Sequence, residues 1–137
     1  SVCYSVLDPE RRVLRLARAG HNPVVLFNPK RRPNLRTFEP PGMALGMDAG
    51  DLFDRTLEEI SIQLRPGDLV FQYTDGASEC LNEAKEEMGA ERLHEVIRQF
   101  GKEEAEYVIF RVVKALEDFR AAARYADDVT LLAVKVL

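Results

Sequence analysis

The chain has 137 residues, 46% of them apolar and 31% charged, and this composition predicts one globular domain rather than a disordered chain. Its net charge of −4 argues against a nucleic-acid-binding domain, because such domains are usually basic. The sequence contains no run of about 18 apolar residues, so we expect no transmembrane span. It also shows no basic segment followed by an apolar one, so we expect no signal peptide.

Two further features concern the completeness of the chain and the state of its cysteines. The first residue is Ser1 rather than methionine, which indicates a piece of a longer protein. The two cysteines, Cys3 and Cys80, lie far apart and match no CxxC pattern. They could form one disulfide, but without a secretory signal we expect reduced, partly buried thiols in a cytoplasmic protein.

The first part of the chain has the pattern of short antiparallel strands. Residues 1–7 are rich in apolar and β-branched side chains and end at a turn signal, Asp8-Pro9. Residues 12–19 alternate between apolar and polar, and a third apolar run covers 24–28. The segment 20–23 (GHNP) is a tight connection between the last two runs. We therefore predict an antiparallel meander.

A loop rich in proline and glycine is predicted from Pro29 to Asp51. The strand pattern resumes at 57–64, and the next four residues, 65–68 (RPGD), fit a type II turn with proline second and glycine third. An apolar strand, 69–74, follows directly. The pattern over 57–74 therefore predicts a β-hairpin.

Helical periodicity appears after Thr74. Residues 90–100 and 103–124 each place apolar side chains on one stripe, and Gly101 stands where a helix C′ residue is expected. The short connection predicts an antiparallel helical hairpin, and the apolar run 129–136 predicts a returning strand. We therefore predict an α+β layered domain. The helical residues expected to face the sheet are Val108, Ile109, Val112 and Val113.

Acidic residues stand at the ends of two predicted strands. Asp75 follows the strand 69–74, with Gly76 permitting a change of direction, and Asp127-Asp128 precedes the last strand. If the two strands pair antiparallel, these carboxylates converge on one edge of the sheet. Their mutual repulsion then favours a hard divalent cation such as Mg²⁺, Mn²⁺ or Ca²⁺. The alternative is that all are ordinary turn or capping residues.

Other polar residues admit both a functional and an ordinary interpretation. His21 could be a ligand or a general acid, or it could bond its own loop. The basic cluster Lys30-Arg31-Arg32, with Arg36 beyond it, could attract phosphate or could be a solvated loop tip. Glu79 and Asn82 could orient a metal-bound water or cap the next helical segment.

Six segments, in this order, resemble a known family. They are AGHNP (19–23), GMALG (42–46), LRPGD (64–68), YTDGASE (73–79), MGAERL (88–93) and DDVTLL (127–132). Together they are similar to the C-terminal part of the bacterial serine phosphatases typified by stage II sporulation protein E and the stress regulator RsbU. These enzymes belong to the metal-dependent PPM phosphatase superfamily. The resemblance spans essentially the whole chain, although Met88 stands where the family more often has an aromatic residue.

The resemblance implies a PPM-like sandwich of two antiparallel sheets flanked by helices. Residues 1–137 would be the C-terminal portion of one such phosphatase domain. By motif, Asp75 and Asp127 take catalytic, metal-ligand positions in a two-metal site that usually holds Mn²⁺ or Mg²⁺. Gly76, Asp128 and Glu79 are expected next to these ligands.

The implied reaction is hydrolysis of phosphoserine or phosphothreonine on a regulatory protein, such as an anti-sigma-factor antagonist, by a metal-activated water. An upstream sensor domain and a homodimer are further expectations. The family's N-terminal Gly-Asp and Asp-x-Ser-Gly motifs do not occur in their places here, so we expect the isolated chain to be inactive. Two alternatives stay open: a non-catalytic partner-binding module with a degenerate phosphatase fold, and a phosphate or nucleotide binder that uses the basic loop.

Overall fold

The computed structural model describes residues 1–48 and 50–137, which form strands and helices as follows. The strands are β1 (Val2–Asp8), β2 (Val13–Ala19), β3 (Val24–Phe27), β4 (Leu35–Phe38), β5 (Glu59–Gln63), β6 (Leu69–Tyr73) and β7 (Leu131–Lys135). The helices are α1 (Leu52–Thr56), α2 (Asp75–Ser78), α3 (Gly89–Phe100) and α4 (Ala105–Arg120). None of these helices combines the length and the apolar character needed to cross a bilayer.

The strands form two antiparallel sheets. One has three strands in the order β1-β2-β5, and the other has four in the order β4-β3-β6-β7. One apolar cluster lies between the sheets, and a second lies between the four-stranded sheet and the helices α3 and α4. The described residues therefore stack in three layers, which confirms the predicted α+β layered architecture.

Strand β3 is the clearest example of why the middle layer forms. All four of its residues are buried: Val25 and Phe27 belong to the helix-side cluster, and Val24 and Leu26 belong to the cluster between the sheets. A strand that is apolar on both faces is stable only where both faces are covered. Burial of each such side chain contributes about 1.5–3 kcal/mol relative to exposure.

The chain changes sheets at two places where the sequence pattern predicts local pairing. Strands β1 and β2 pair as predicted, but β3 lies in the other sheet, so the three-strand meander is wrong. Likewise β5 pairs with β2 whereas β6 pairs with β3 and β7, so the hairpin predicted over 57–74 is wrong. The physical reason is that β6, like β3, is buried on both faces, whereas β5 has only one covered face.

The connection between β5 and β6 is nevertheless the type II turn that the sequence predicts. Gly67 has a φ of 87°, and the N–H of Asp68 donates to the carbonyl of Arg65 at 3.0 Å. The turn geometry is therefore local, while the sheet that each flanking strand joins is not.

The predicted loop from Pro29 to Asp51 contains one element that its pattern does not reveal. Among the described residues, strand β4 pairs with β3 alone and carries two apolar residues, Leu35 and Phe38. An edge strand with a solvated outer face has too weak an alternation to be recognised in so short a segment. Position 49 of this loop lies outside the described residues.

The helical hairpin is present, with one residue facing the other way from the prediction. Val108 and Val112 are fully buried and Ile109 packs at the margin of the same cluster, but Val113 is 36% exposed. Val113 lies five positions after Val108, about 140° around the helix from it, and so points away from the sheet. Helix α4 ends at Arg120, before the predicted limit at 124.

Gly101 ends α3 as predicted, but its φ is −66° rather than left-handed. A Cβ at this position would lie 2.5 Å from both the Ile97 carbonyl oxygen and Cδ1 of Phe27. Glycine is therefore required here because the helix end packs closely against β3.

Candidate functional site

The ends of β6 and β7 bring the two acidic motifs to one edge of the four-stranded sheet. These strands pair antiparallel, with Tyr73 opposite Leu131, which is the condition under which the sequence predicts that the acidic residues converge. Beyond that pair the N–H of Thr74 donates to the Thr130 carbonyl at 3.1 Å. The Thr74 hydroxyl also donates to the Asp128 carbonyl at 3.0 Å and accepts the Thr130 N–H at 2.9 Å. Thr74 thus clamps the segment that follows β6 to the segment that precedes β7.

Gly76 allows these two segments to approach each other. A Cβ at Gly76 would lie 2.4 Å from the carbonyl oxygen of Asp128 and 3.2 Å from that of Asp127. The residue sits inside α2 and its φ is not positive, so it does not make the change of direction that the sequence suggests. Its function in the fold is close backbone contact with the Asp127-Asp128 pair.

The carboxylates of Asp75 and Asp127 lie on the surface and are similarly oriented by the backbone. Oδ1 of Asp75 accepts the N–H of Gly76 at 3.1 Å, and Oδ1 of Asp127 accepts the N–H of Asp128 at 2.7 Å. Within residues 1–48 and 50–137, no protein group bonds the second oxygen of either carboxylate. Exposed carboxylate oxygens of this kind are the ligands that hard cations prefer.

The carboxylates at this edge are chemically suitable ligands for a divalent cation, but they are few. In the described part of the chain, no group of three or more histidine, cysteine, aspartate or glutamate residues could hold a metal ion. Asp75 and Asp127 therefore fit Mn²⁺ or Mg²⁺ in the type of oxygen they offer, while most of the coordination shell would have to come from water or from other protein segments.

The structure places the remaining acidic candidates around Asp75. Glu79 ends α2, where its N–H donates to the Asp75 carbonyl at 2.7 Å, and its side chain is exposed. The carbonyl of Asp128 accepts a hydrogen bond from the Thr74 hydroxyl, and the Asp128 side chain is also exposed. Asn82 is a loop residue instead, because its amide bonds both the N–H and the carboxylate of Glu86 at 2.9 and 2.8 Å.

The basic cluster lies at the other end of β6. Arg31 donates from Nε to the buried carboxylate of Asp68 at 2.9 Å, immediately before β6 begins. Arg36 stacks over the ring of Phe38 at 5.2 Å. Asp75 follows the far end of the strand, about 20 Å away by strand geometry. The cluster therefore anchors a loop. It does not reach the acidic edge, which is the end of the four-stranded sheet where Asp75 and Asp127-Asp128 lie.

The nearest side chains with shifted pKa values are structural. Burial raises the pKa of the Tyr73 hydroxyl. Burial also raises the pKa of the Cys80 thiol, and the charge of Arg120 only partly offsets this rise. Both groups are therefore neutral at pH 7, and neither is activated as a nucleophile.

The connection between β2 and β3 also reaches the acidic edge. A polar cavity of about 40 Å³ is lined by Ser1, Gly20, His21, Asn22, Thr74 and Asp75. Nδ1 of His21 and Nδ2 of Asn22 are buried, and neither has a hydrogen-bond partner among the described residues. Nδ1 of His21 therefore makes no bond to its own loop within the described part of the chain, contrary to the ordinary interpretation of this residue. The sequence offered one signal for this site, two polar side chains in a tight connection between apolar strands.

Comparisons with known proteins agree with this architecture. The sequence model of the stage II sporulation protein E (SpoIIE) family matches residues 1–137. Protein IcfG of Synechocystis is 26% identical over 131 residues, which are 96% of this chain and 20% of IcfG. The SiaA-PP2C domain of Pseudomonas aeruginosa has a TM-score of 0.80 at 18% identity, over 97% of this chain and 50% of that one. The manganese-presoaked SpoIIE phosphatase domain of Bacillus subtilis has a TM-score of 0.71 at 17% identity, over 98% of this chain and 56% of that one.

The structural similarities confirm the predicted fold, two antiparallel sheets with helices as in PP2C-type phosphatase domains. The chain spans about half the length of these two solved domains and a fifth of IcfG. Because the family model matches the whole chain, the resemblance seen in the six motifs is confirmed. The chain belongs to the SpoIIE family.

Proposed function

We propose that this chain is part of a metal-dependent protein phosphatase that hydrolyses phosphoserine or phosphothreonine on a regulatory protein, such as an anti-sigma-factor antagonist. One observation carries the proposal. Two acidic motifs far apart in sequence, Asp75 and Asp127-Asp128, meet at one sheet edge in a chain related to PP2C-type phosphatases. Membership of the SpoIIE family supports the reaction class.

In this proposal Asp75 and Asp127 hold Mn²⁺ or Mg²⁺, with Gly76, Asp128 and Glu79 around them. The bound ion would supply a water of lowered pKa and would polarise the phosphoryl oxygens. The chain's own residues orient the ligands: the N–H groups of Gly76 and Asp128 each hold one carboxylate oxygen. The Thr74 clamp keeps the two acidic segments together. The manganese-soaked SpoIIE domain supports the choice of cation.

The first prediction tests the ligands in the full-length protein. Asp75→Asn and Asp127→Asn should each lower turnover by about a hundredfold or more, because the neutral amide lacks the negative charge by which a carboxylate binds a hard cation. Both side chains are exposed, so folding should be unaffected. The measurement is phosphate release from a phosphoserine peptide at saturating Mn²⁺, with circular dichroism to confirm folding.

Asp118→Asn is the matched control, because Asp118 is an exposed aspartate on α4 that pairs with Lys114 at 2.8 Å. It should leave turnover unchanged. Near-wild-type turnover in Asp75→Asn or Asp127→Asn would remove that residue from the site.

The proposal extends to partners and location. We infer an upstream sensor or regulatory domain, a homodimer and a cytoplasmic location, since a phosphoprotein substrate of this kind is a cytoplasmic regulator. The second candidate, a non-catalytic partner-binding module, is favoured by the small ligand set in the described residues. Titration with Mn²⁺ separates the two, because only the phosphatase must bind the cation through Asp75 and Asp127.

A further inference from the structure

The loop that carries His21 and Asn22 is held rigidly against the rest of the chain. The N–H of Gly20 donates to the Gly42 carbonyl at 3.0 Å, and Nη1 of Arg18 donates to the His21 carbonyl at 2.6 Å. A Cβ on Gly20 would lie 2.7 Å from the Cβ of Ala44. The loop 19–23 and the loop 42–46 are thus packed together through their glycines, and this packing fixes where the two polar side chains lie.

The rigid loop nevertheless leaves two buried polar atoms without a partner. Nδ1 of His21 and Nδ2 of Asn22 make no hydrogen bond to any described residue. A buried polar atom left unpaired costs about 1–3 kcal/mol, so such atoms are normally satisfied by a ligand or a water. Both residues line the polar cavity of about 40 Å³ that also contains Asp75. This volume is sufficient for one oxygen-sized ligand.

We propose that His21 and Asn22 bind a phosphoryl oxygen beside Asp75, with a water molecule in its place when no phosphate is bound. The amide nitrogen of Asn22 can only donate, so the atom it binds must be a hydrogen-bond acceptor. Nδ1 of His21 serves as a second donor in the appropriate tautomer. An oxygen atom in the cavity that both residues line can accept a hydrogen bond from such donors.

The anionic character of the ligand follows from the proposed cation and not from the lining of the cavity, which includes the carboxylate of Asp75. A phosphoryl oxygen next to the carboxylate of Asp75 is repelled unless a cation lies between them, so the inference rests on the proposed function. In that arrangement a cation held by Asp75 and Asp127 would neutralise the acidic edge, and His21 and Asn22 would supply hydrogen-bond donors. His21 and Asn22 would then contribute to phosphate affinity and not to cation affinity.

The test measures binding rather than hydrolysis. Equilibrium dialysis gives the Kd of inorganic phosphate for the full-length protein at saturating Mg²⁺, and a separate titration gives the Kd of Mg²⁺. We expect His21→Ala and Asn22→Ala each to raise the phosphate Kd about tenfold. The Mg²⁺ Kd should stay within about twofold of wild type. The control Asn34→Ala, at an exposed asparagine, should change neither constant.

Two shape-preserving variants, His21→Phe and Asn22→Leu, serve if an alanine variant does not fold. An unchanged phosphate Kd in the folded variants would overturn the inference and leave the cavity to water alone. A raised Mg²⁺ Kd with an unchanged phosphate Kd would also overturn it. Wild-type protein that binds no phosphate would do the same. Wild-type protein that binds phosphate but hydrolyses no phosphoserine peptide would refute the proposed function while leaving the inference intact.

Discussion

Asp68 is a fully buried carboxylate that joins two loops at the start of β6. It accepts hydrogen bonds from Nδ2 of Asn28 at 2.7 Å, Nε of Arg31 at 2.9 Å and the N–H of Arg65 at 2.8 Å. Burial alone would raise the pKa of Asp68, but these hydrogen bonds and the charge of Arg31 outweigh it. The pKa therefore lies below its ordinary value of 3.8. The ionised form is thus the one that the fold stabilises.

This gives a stability prediction with a defined pH dependence. Because the folded pKa of Asp68 is lowered, its contribution is present above the unfolded pKa and is lost as the pH falls through the folded value. Asp68→Asn should therefore lower the free energy of unfolding at pH 7 by about 3 kcal/mol, since Arg31 is left unpaired. It should also flatten the loss of stability below about pH 4.

Urea denaturation of the two proteins from neutral to acid pH provides the measurement. Asp118→Asn, whose partner Lys114 is exposed, is the control and should follow the wild-type curve. Parallel pH profiles for wild type and Asp68→Asn would show that the buried ion pair does not set the acid sensitivity.

At the scale of the element, α4 shows how one helix can carry neighbouring residues with opposite environments. Val112 is fully buried against the four-stranded sheet, whereas Val113 is 36% exposed. The two valines have the same helix propensity and lie in the same turn. Any difference between substitutions at these positions therefore reports burial alone.

We accordingly predict that Val112→Asp yields mostly insoluble protein and Val113→Asp yields soluble protein. A charge placed at position 112 would be buried without a partner, which destabilises by more than about 4 kcal/mol. Soluble yield and thermal melting are the measurements. A soluble Val112→Asp variant with wild-type melting would mean that the buried face of α4 is assigned wrongly.

At the scale of the whole molecule, an outer strand of one sheet lies beside an outer strand of the other. Strand β1 is an edge of the three-stranded sheet and β7 is an edge of the four-stranded sheet. A groove of about 250 Å³ runs between them, and Leu7 and Val134 line it. Leu132 on β7 is 54% exposed. Within residues 1–48 and 50–137 the outer sides of β1 and β7 pair with no further strand, and such edges with apolar residues beside them favour the addition of strands.

The first whole-molecule prediction is that residues 1–137 alone release no phosphate. A two-metal centre needs enough oxygen ligands for two ions about 4 Å apart, and Asp75 and Asp127 are too few. The assay uses a phosphoserine protein and millimolar Mn²⁺, with the full-length protein as positive control. Metal-dependent release by the isolated chain that is lost in Asp75→Asn would show that other residues complete the site.

The second whole-molecule prediction is that the isolated chain self-associates through its open side. A second copy can cover the β1 and β7 edges, so sedimentation should show a mass that rises with concentration. Leu132→Lys should weaken this association. The control Phe110→Lys changes an equally prominent residue on α4, 58% exposed, and should leave it unchanged. A monomer at every concentration would contradict the prediction.

The sequence by itself determined the local features of this protein. The type II turn before β6 and the helical hairpin follow from turn chemistry and hydrophobic period, which depend only on neighbouring residues. The convergence of the Asp75 and Asp127-Asp128 segments was predicted only on the condition that β6 and β7 pair antiparallel, and the six motifs indicated the family.

Only the tertiary structure decided which sheet each strand joined and which polar side chains met. Strands β5 and β6 are consecutive but lie in different sheets, because β6 requires cover on both faces and that cover comes from distant residues. His21 and Asp75 line one cavity for the same reason: the chain crosses between the sheets at residues 20–23, beside the end of β6. A continuous apolar run such as that of β3 indicates burial on both faces, but the elements that provide the cover are decided by the packing of the layers.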